Sequence, residues 1–172
     1  PSELYFQCVN HGYMGDAAYT SLGTATADGS GNFSITPSLA LVDDSYTFTV
    51  TSTDAAGNTS SESSILNITV DTTAPAQPSI TTTTTLTNNA TPTIEGIAEP
   101  NSTINLINNG SSVGTATTNS SGTFVVTPSS VLADGTYSLT VTATDEEGNT
   151  SSSSSSLGIT VDTTAPIITS SN

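Results

Sequence analysis

Apolar and polar positions alternate along most of the chain with a period of two. In "TYSLTVTATD", Tyr137, Leu139, Val141 and Ala143 fall on one face and Ser138, Thr140, Thr142 and Thr144 on the other. That is the signature of a half-buried strand. The segments "STINLIN" from Ser102, "GTFVVTP" from Gly122 and "LGITVD" from Leu157 behave similarly, and Thr, Val and Ile supply the β propensity. Clusters of Gly, Asn, Asp and Ser separate them at short intervals, as turns require. No 11-residue window carries a helical apolar stripe. The pattern predicts strands over about 79–85, 93–98, 102–108, 113–118, 122–127, 136–145 and 157–161. About seven short strands in about 90 residues predict an antiparallel β-sandwich.

The same pattern occurs twice. The stretch beginning at Ser21 aligns without a gap with that beginning at Ser112, an offset of 91 residues, and both run to "DTTAP". Gly23 matches Gly114, Pro37 matches Pro128, Tyr46 matches Tyr137, and Asp54 matches Asp145. Internal identity over such a length means two copies of one module. The reading is therefore all-β, two tandem antiparallel sandwiches of about seven strands each: residues 1–73, residues 74–164, and the start of a further linker or module at 165–172. By the same offset copy one begins near Ser2. It lacks a counterpart of "PAQPSITTTTTLTNNATP", so it is truncated by one strand, or that strand comes from elsewhere. Counting by 91 also sets Cys8 opposite Glu99.

Charge narrows the function. The chain has 172 residues with no Lys or Arg, fifteen Asp and Glu, and a formal net charge of −15. Without basic side chains there is nothing to neutralise a phosphate backbone, which argues against nucleic-acid partners. P-loops, Schiff bases, arginine clamps and Lys–Asn crosslinks each need a residue that is absent. No run approaches the roughly 18 apolar residues of a membrane helix, so no membrane insertion is expected of this segment. A lone cysteine, Cys8, forms no intrachain disulfide. Hydrophobic residues at 33 % imply a light core.

The acids instead point to cations. In a sandwich, alternate loops lie at opposite ends. Glu99, Asn119 and the run Asp145, Glu146, Glu147, Asn149 then share one end of copy two, and Asp71 of the preceding "VDTTAP" is delivered to that end. Converging carboxylates repel unless a cation sits among them. Oxygen donors without His or Cys suit a hard ion, Ca2+ above all. The candidate ligands are Asp71, Glu99 and Asp145, with Asn149 or a backbone carbonyl completing the shell. Asp28 and Asp54 would face an upstream module, and Asp162 a downstream one. The plainer reading is that an Asp at a strand end before Gly-Asn is ordinary turn chemistry.

The repeated "TDxxGNTSS…ITVDTTAP", with "TPTIEGIAEPNSTINLINNG" from Thr91 to Gly110, resembles the bacterial Ig-like repeats of large surface adhesins, of the biofilm-associated-protein and repeats-in-toxin type. The resemblance covers copy two and copy one from about Thr20. It implies an Ig-like sandwich in a long tandem array outside a bacterial cell, with Ca2+ at the module junctions, and so points again to Asp71, Glu99 and Asp145. The function it implies is a stalk segment supporting adhesion or biofilm formation, with neighbouring modules of the same chain as partners. The alternative is a self-assembling fibre subunit, joined by strand addition at the edge that copy one leaves open.

Other constellations weigh less. Residues 4–19 depart from the repeat. Within them "ELYFQ" partly resembles a viral protease recognition site and otherwise reads as an atypical strand. His11 near Cys8 could make a nucleophilic pair, but no third residue orients it. Tyr5, Phe6, Tyr13 and Tyr19 could stack on a sugar or fill an irregular core. Asp43–Asp44 reads as a solvated loop, and the run Ser151–Ser156 as low-complexity loop or strand. An enzyme is not expected.

Overall fold

The alternation becomes twelve strands, and among the described residues no helix, in the computed structural model, which describes residues 3–10 and 20–169. The chain divides into two compact units, Pro1–Thr72 and Thr73–Asn172. They are treated below as modules one and two.

Module two carries β5 (Ser79–Ile80), β6 (Leu86–Thr87), β7 (Ile94–Ile97), β8 (Thr103–Asn108), β9 (Ser111–Thr117), β10 (Thr123–Val126), β11 (Gly135–Thr144) and β12 (Leu157–Val161). One sheet runs β10-β7-β5 and the other β6-β12-β11-β8-β9. All pairs are antiparallel except β6 with β12. Of the single strand expected over 79–85 only Ser79–Ile80 is strand, in one sheet, and a second short strand, Leu86–Thr87, follows just beyond it in the other. The all-Thr run Thr81–Thr85 between them has no apolar alternation to hold one face inward. Its amides and carbonyls still pair: Thr81 N–H donates to Glu95 O at 2.8 Å, and Thr85 O accepts from Thr160 N–H at 2.8 Å. Asn109 and Gly110, with φ of 49° and 80°, close β8 onto β9 as a two-residue hairpin of the primed type, which needs positive φ at both positions. The core lies between the sheets. Leu139, Val141 and Ala143 of β11 meet Ile104 and Leu106 of β8 from one side and Ile94, Phe124 and Val126 from the other.

Module one is one sheet among the described residues, in the order β2-β1-β3-β4, from β1 (Glu3–Asn10), β2 (Thr20–Thr26), β3 (Asp44–Thr53) and β4 (Leu66–Val70). Strands β2, β3 and β4 coincide with β9, β11 and β12 at the offset of 91. The tyrosine hydroxyls repeat too: Tyr46 donates to Val42 O at 2.8 Å and Tyr137 to Ala133 O at 2.9 Å. Strand β1 does not keep the offset. Glu3 pairs with Thr53 as Thr103 pairs with Thr144, an offset of 100. Cys8 therefore stands where module two has Asn108, since it faces Phe48 as Asn108 faces Leu139. The equation of Cys8 with Glu99 is corrected by this register. The sequence count failed because eleven residues separate the paired Cys8 and Thr20, where two separate the paired Asn108 and Ser111 of the tight β8–β9 hairpin. The shortfall is also larger than one strand. Among the described residues module one has no counterpart of β5, β6 or β7, and its residues 32–35, which match β10, form no strand.

Candidate functional site

Strand register assigns the acids to module ends. In module two, Thr103 at the start of β8 lies between Thr144 at the end of β11 and Thr117 at the end of β9. The loops carrying Glu99, Asn119, Asp145 and Asn149 therefore share one end. Two of them are tied together through Glu99 O, which accepts from Ser102 Oγ at 2.7 Å and from Thr118 Oγ1, next to Asn119, at 2.6 Å. The Glu99 side chain is exposed, as are Glu146 and Glu147, whereas Asp145 and Asn149 are half-buried. Asp162 lies at the opposite end, after β12, where Val161 pairs with Gly135. In module one, Asp28 and Asp54 follow β2 and β3 at the end marked by the pairs Glu3–Thr26 and Glu3–Thr53. Asp71 follows β4 at the other end, beyond the pair Asp44–Val70.

Three of the candidate ligands shape their own turns. Asp28 Oδ1 accepts from Ser30 N–H at 2.8 Å and Asn32 N–H at 2.9 Å, and its Oδ2 from Asn32 Nδ2 at 3.2 Å. Asp54 Oδ1 accepts from Ala56 and Asn58 N–H, both at 2.9 Å, and Oδ2 from Asn58 Nδ2 at 2.9 Å. Asp145 accepts from Asn149 N–H at 2.7 Å and Nδ2 at 2.9 Å. Asn119, at the place of Asp28 in module two, caps its turn in the same manner, taking Ser121 and Thr123 N–H at 2.9 and 3.0 Å. An uncharged residue thus suffices for that turn, which is the plainer reading of these positions. Asn149 belongs to the same turn as Asp145. A carboxylate has about four lone-pair sites, so a turn-capping Asp keeps capacity for a hard cation alongside its amide partners. The oxygen-only donor set of Glu99, Asp145 and Asn149 fits such an ion.

These bonds hold carboxyls below their usual range. For Asp28 the cause is chiefly the Asn32 backbone and side-chain bonds, and for Asp54 the Asn58 side chain. Partial burial pushes Asp145 up, but the Asn149, Gly148 and Glu147 bonds outweigh it and the net shift is down. Asp134 is lowered by Thr164 and Thr163, whose hydroxyls donate to its two oxygens at 2.6 and 2.7 Å. A carboxyl whose folded value lies below its unfolded value near 3.8 adds stability that is present above that pH and lost as pH falls through the folded value. Urea midpoints should therefore fall as pH drops below about 4. In Asp28→Asn the turn should persist, because Asn119 already serves there, while that site's share of the acid sensitivity disappears. An acid limb identical to that of the parent chain would refute this.

Sequence reading missed two features. Asp43 and Asp134 are latches on "DTTAP". Asp43 Oδ1 accepts from Thr72 N–H at 2.9 Å and Oγ1 at 2.7 Å, and Asp134 Oδ1 takes Thr163 N–H and Oγ1 at 2.8 and 2.7 Å. The recurrence of "LVD" and "LAD", each ending in an Asp 28 residues before the Asp of "DTTAP", was the available signal. The second is the serine run. Ser151 and Ser154 are buried and accept Ala143 and Val141 N–H, both at 3.0 Å. Of the aromatic group, Tyr5 donates to Glu3 Oε2 at 3.2 Å. His11, Tyr13 and Tyr19 lie outside the described residues, as do the side chains of Phe6 and Cys8.

A family model described as a bacterial Ig-like domain matches residues 14–72 and 76–163. No curated protein matches the chain. Among solved structures, the fibronectin(III)-like modules of Clostridium thermocellum CbhA are similar in fold at a TM-score of 0.56 and 16 % identity, covering 93 % of this chain and 77 % of that one. A biofilm-associated protein BSP domain matches at 0.41 and 24 % identity, with 96 % of this chain and 26 % of that one covered. A tetra-tandem repeat from the extending region of a large adhesion protein matches at 0.42 and 24 %, covering 94 % and 42 %.

Proposed function

Because the chain belongs to the bacterial Ig-like domain family, whose members are structural modules rather than enzymes, we propose that it is an extender segment of a bacterial surface adhesin. In this reading it holds a distal binding region away from the cell and supports adhesion or biofilm formation. The observation that carries the reading is the recurrence of strands, tyrosine hydroxyl bonds and Asp–Thr latches at one offset. Such recurrence is what a tandem array needs, and a one-off binding site does not require it. The absence of basic residues keeps such an array soluble and mutually repelling.

Ca2+ belongs to the same proposal. The end of module two that carries Glu99, Asp145 and Asn149 would hold the ion, with Asp71 added on the sequence argument. Asp28 with Asp54, and Asp162, are the matching outer positions. Binding would stabilise the chain by mass action. Calorimetric titration of the whole chain should show saturable Ca2+ binding with a Kd of about 0.1–1 mM, the range of extracellular modules. The melting temperature should rise with Ca2+ and return on chelation, and Glu99→Gln with Asp145→Asn should remove both effects. No heat up to about 10 mM Ca2+ would reduce the acids to turn caps and solubility charge.

A further inference from the structure

Module one contains an apolar groove that module two fills with its own chain. In module two, β7 lies between β10 and β5, and Ile94 and Phe124 are buried at 0 % and 2 % exposure. In module one the counterpart of Phe124, Phe33, is 47 % exposed, and no described strand pairs with residues 32–35. Ile68, the counterpart of the buried Ile159, is 39 % exposed. Phe33, Ile35, Leu41, Phe48, Leu66 and Ile68 line a groove of about 410 Å³. All of these residues belong to module one.

The internal repeat shows what fits. In β7, Ile94 sits opposite Val126 and Gly96 opposite Phe124. In module two a Cβ on Gly96 would meet the Phe124 ring and Ser79 O, each at 2.3 Å; module one has no described counterpart of Ser79, so there the ring of Phe33 sets the preference for glycine. The occupant is then an extended segment reading Ile-x-Gly, antiparallel to residues 32–35, with the Gly over Phe33 and the Ile facing the position of Ile35. A second copy of this chain is a poor donor. Surrendering its β7 would expose the buried Ile94, Phe124 and Val126 of its own module two for no net gain of buried apolar surface.

We propose that module one is an acceptor for a module-opening strand of the Ile-x-Gly type, supplied by a polypeptide segment that is not already folded into a module of its own. Main-chain bonds along 32–35 would give affinity, and the Ile and Gly positions specificity. This inference stands apart from the cation reading, since none of the groove residues is a proposed ligand.

The probe is a labelled synthetic peptide with the sequence of residues 91–99, TPTIEGIAE, titrated with the whole chain at about 0.15 M salt to screen the net charge. Saturable binding is expected, with hydrogen-exchange protection appearing over residues 32–36 and unaffected by Ca2+ or chelator. Peptides carrying Ile94→Asp or Gly96→Val should bind at least about tenfold more weakly, as should the chain carrying Phe33→Asp, whose strands β1–β4 should keep their hydrogen-exchange protection because the ring is 47 % exposed. Equal binding by the Ile94→Asp peptide would overturn the proposal, as would no binding at about 1 mM, the floor of measurable affinity. So would a structure in which residues 11–19 fill the groove. Concentration-dependent oligomers with loss of protection over 94–97 would make a second copy the donor and overturn it also.

Discussion

Phe124→Ala should destabilise module two by about 3–5 kcal/mol, whereas Phe33→Ala at the matching position should cost module one about 1 kcal/mol or less. The two rings occupy the same place in the repeat. What differs is whether a strand closes over them. Phe124 is 2 % exposed beneath Gly96 of β7, and its removal leaves a cavity among Ile94, Leu139 and Val141. Phe33 is half open to water, so its ring contributes little buried area to lose. For a module of roughly 100 residues each kcal/mol moves the melting temperature by about 4–8 °C, so Phe124→Ala should lower the transition of module two by more than 12 °C or so. Hydrogen exchange read by mass spectrometry, peptide by peptide through a urea series, keeps the two modules apart. Equal losses in both would mean that Phe33 is covered in solution, and would count against the open groove as well.

Much of this architecture is legible in the sequence because the strands are half-buried and nearly every one is bounded by turn residues. The expected strand over 157–161 and that over 136–145 lie within one residue of β12 and β11. The Thr run misled for lack of pattern: five identical β-branched polar residues predict a strand but not which sheet it joins. Module one misled for a different reason. A sequence repeat counts residues, whereas strand pairing counts register, and the longer stretch from Cys8 to Thr20 separates the two by nine positions. At the module ends, the sequence located Glu99, Asp145 and Asn149 correctly in one cluster of loops, because strand parity alone dictates that placement. It also offered the turn-capping role of Asp28, Asp54 and Asp145 as the plainer reading, but not which donors each carboxylate takes, since those bonds depend on backbone direction within the loop. The latch at Asp43 was hidden in what looked like a solvated acid pair, and that at Asp134 in an Asp-Gly turn segment.

Ser154→Ala and Ser151→Ala should each cost module two about 1–3 kcal/mol, the penalty for a buried donor left without its acceptor, while Ser152→Ala and Ser155→Ala stay within about 0.5 kcal/mol. The four residues are chemically identical and adjacent in what reads as a low-complexity run, yet only Ser151 and Ser154 turn inward. Their hydroxyls receive the Ala143 and Val141 amides and pass their own protons to Ser152 O and Ser155 O at 3.0 and 2.8 Å. Their backbone amides in turn donate to Ala143 O and Val141 O, both at 2.9 Å. The serines thereby extend the pairing of β11 past the point where β12 begins at Leu157, and do so with side chains short enough to fit. In module one Ser60 and Ser63 repeat the arrangement on Ser52 and Val50 N–H at 3.0 Å, but in exposed positions where water can replace the hydroxyl. Ser63→Ala should accordingly cost less than half of what Ser154→Ala does. Urea unfolding of the five variants decides the matter. Similar small losses at all four serines of module two would mean that the run is a solvated linker and that the amides of Val141 and Ala143 find water, which would remove the physical basis for a fixed spacing of three in that segment.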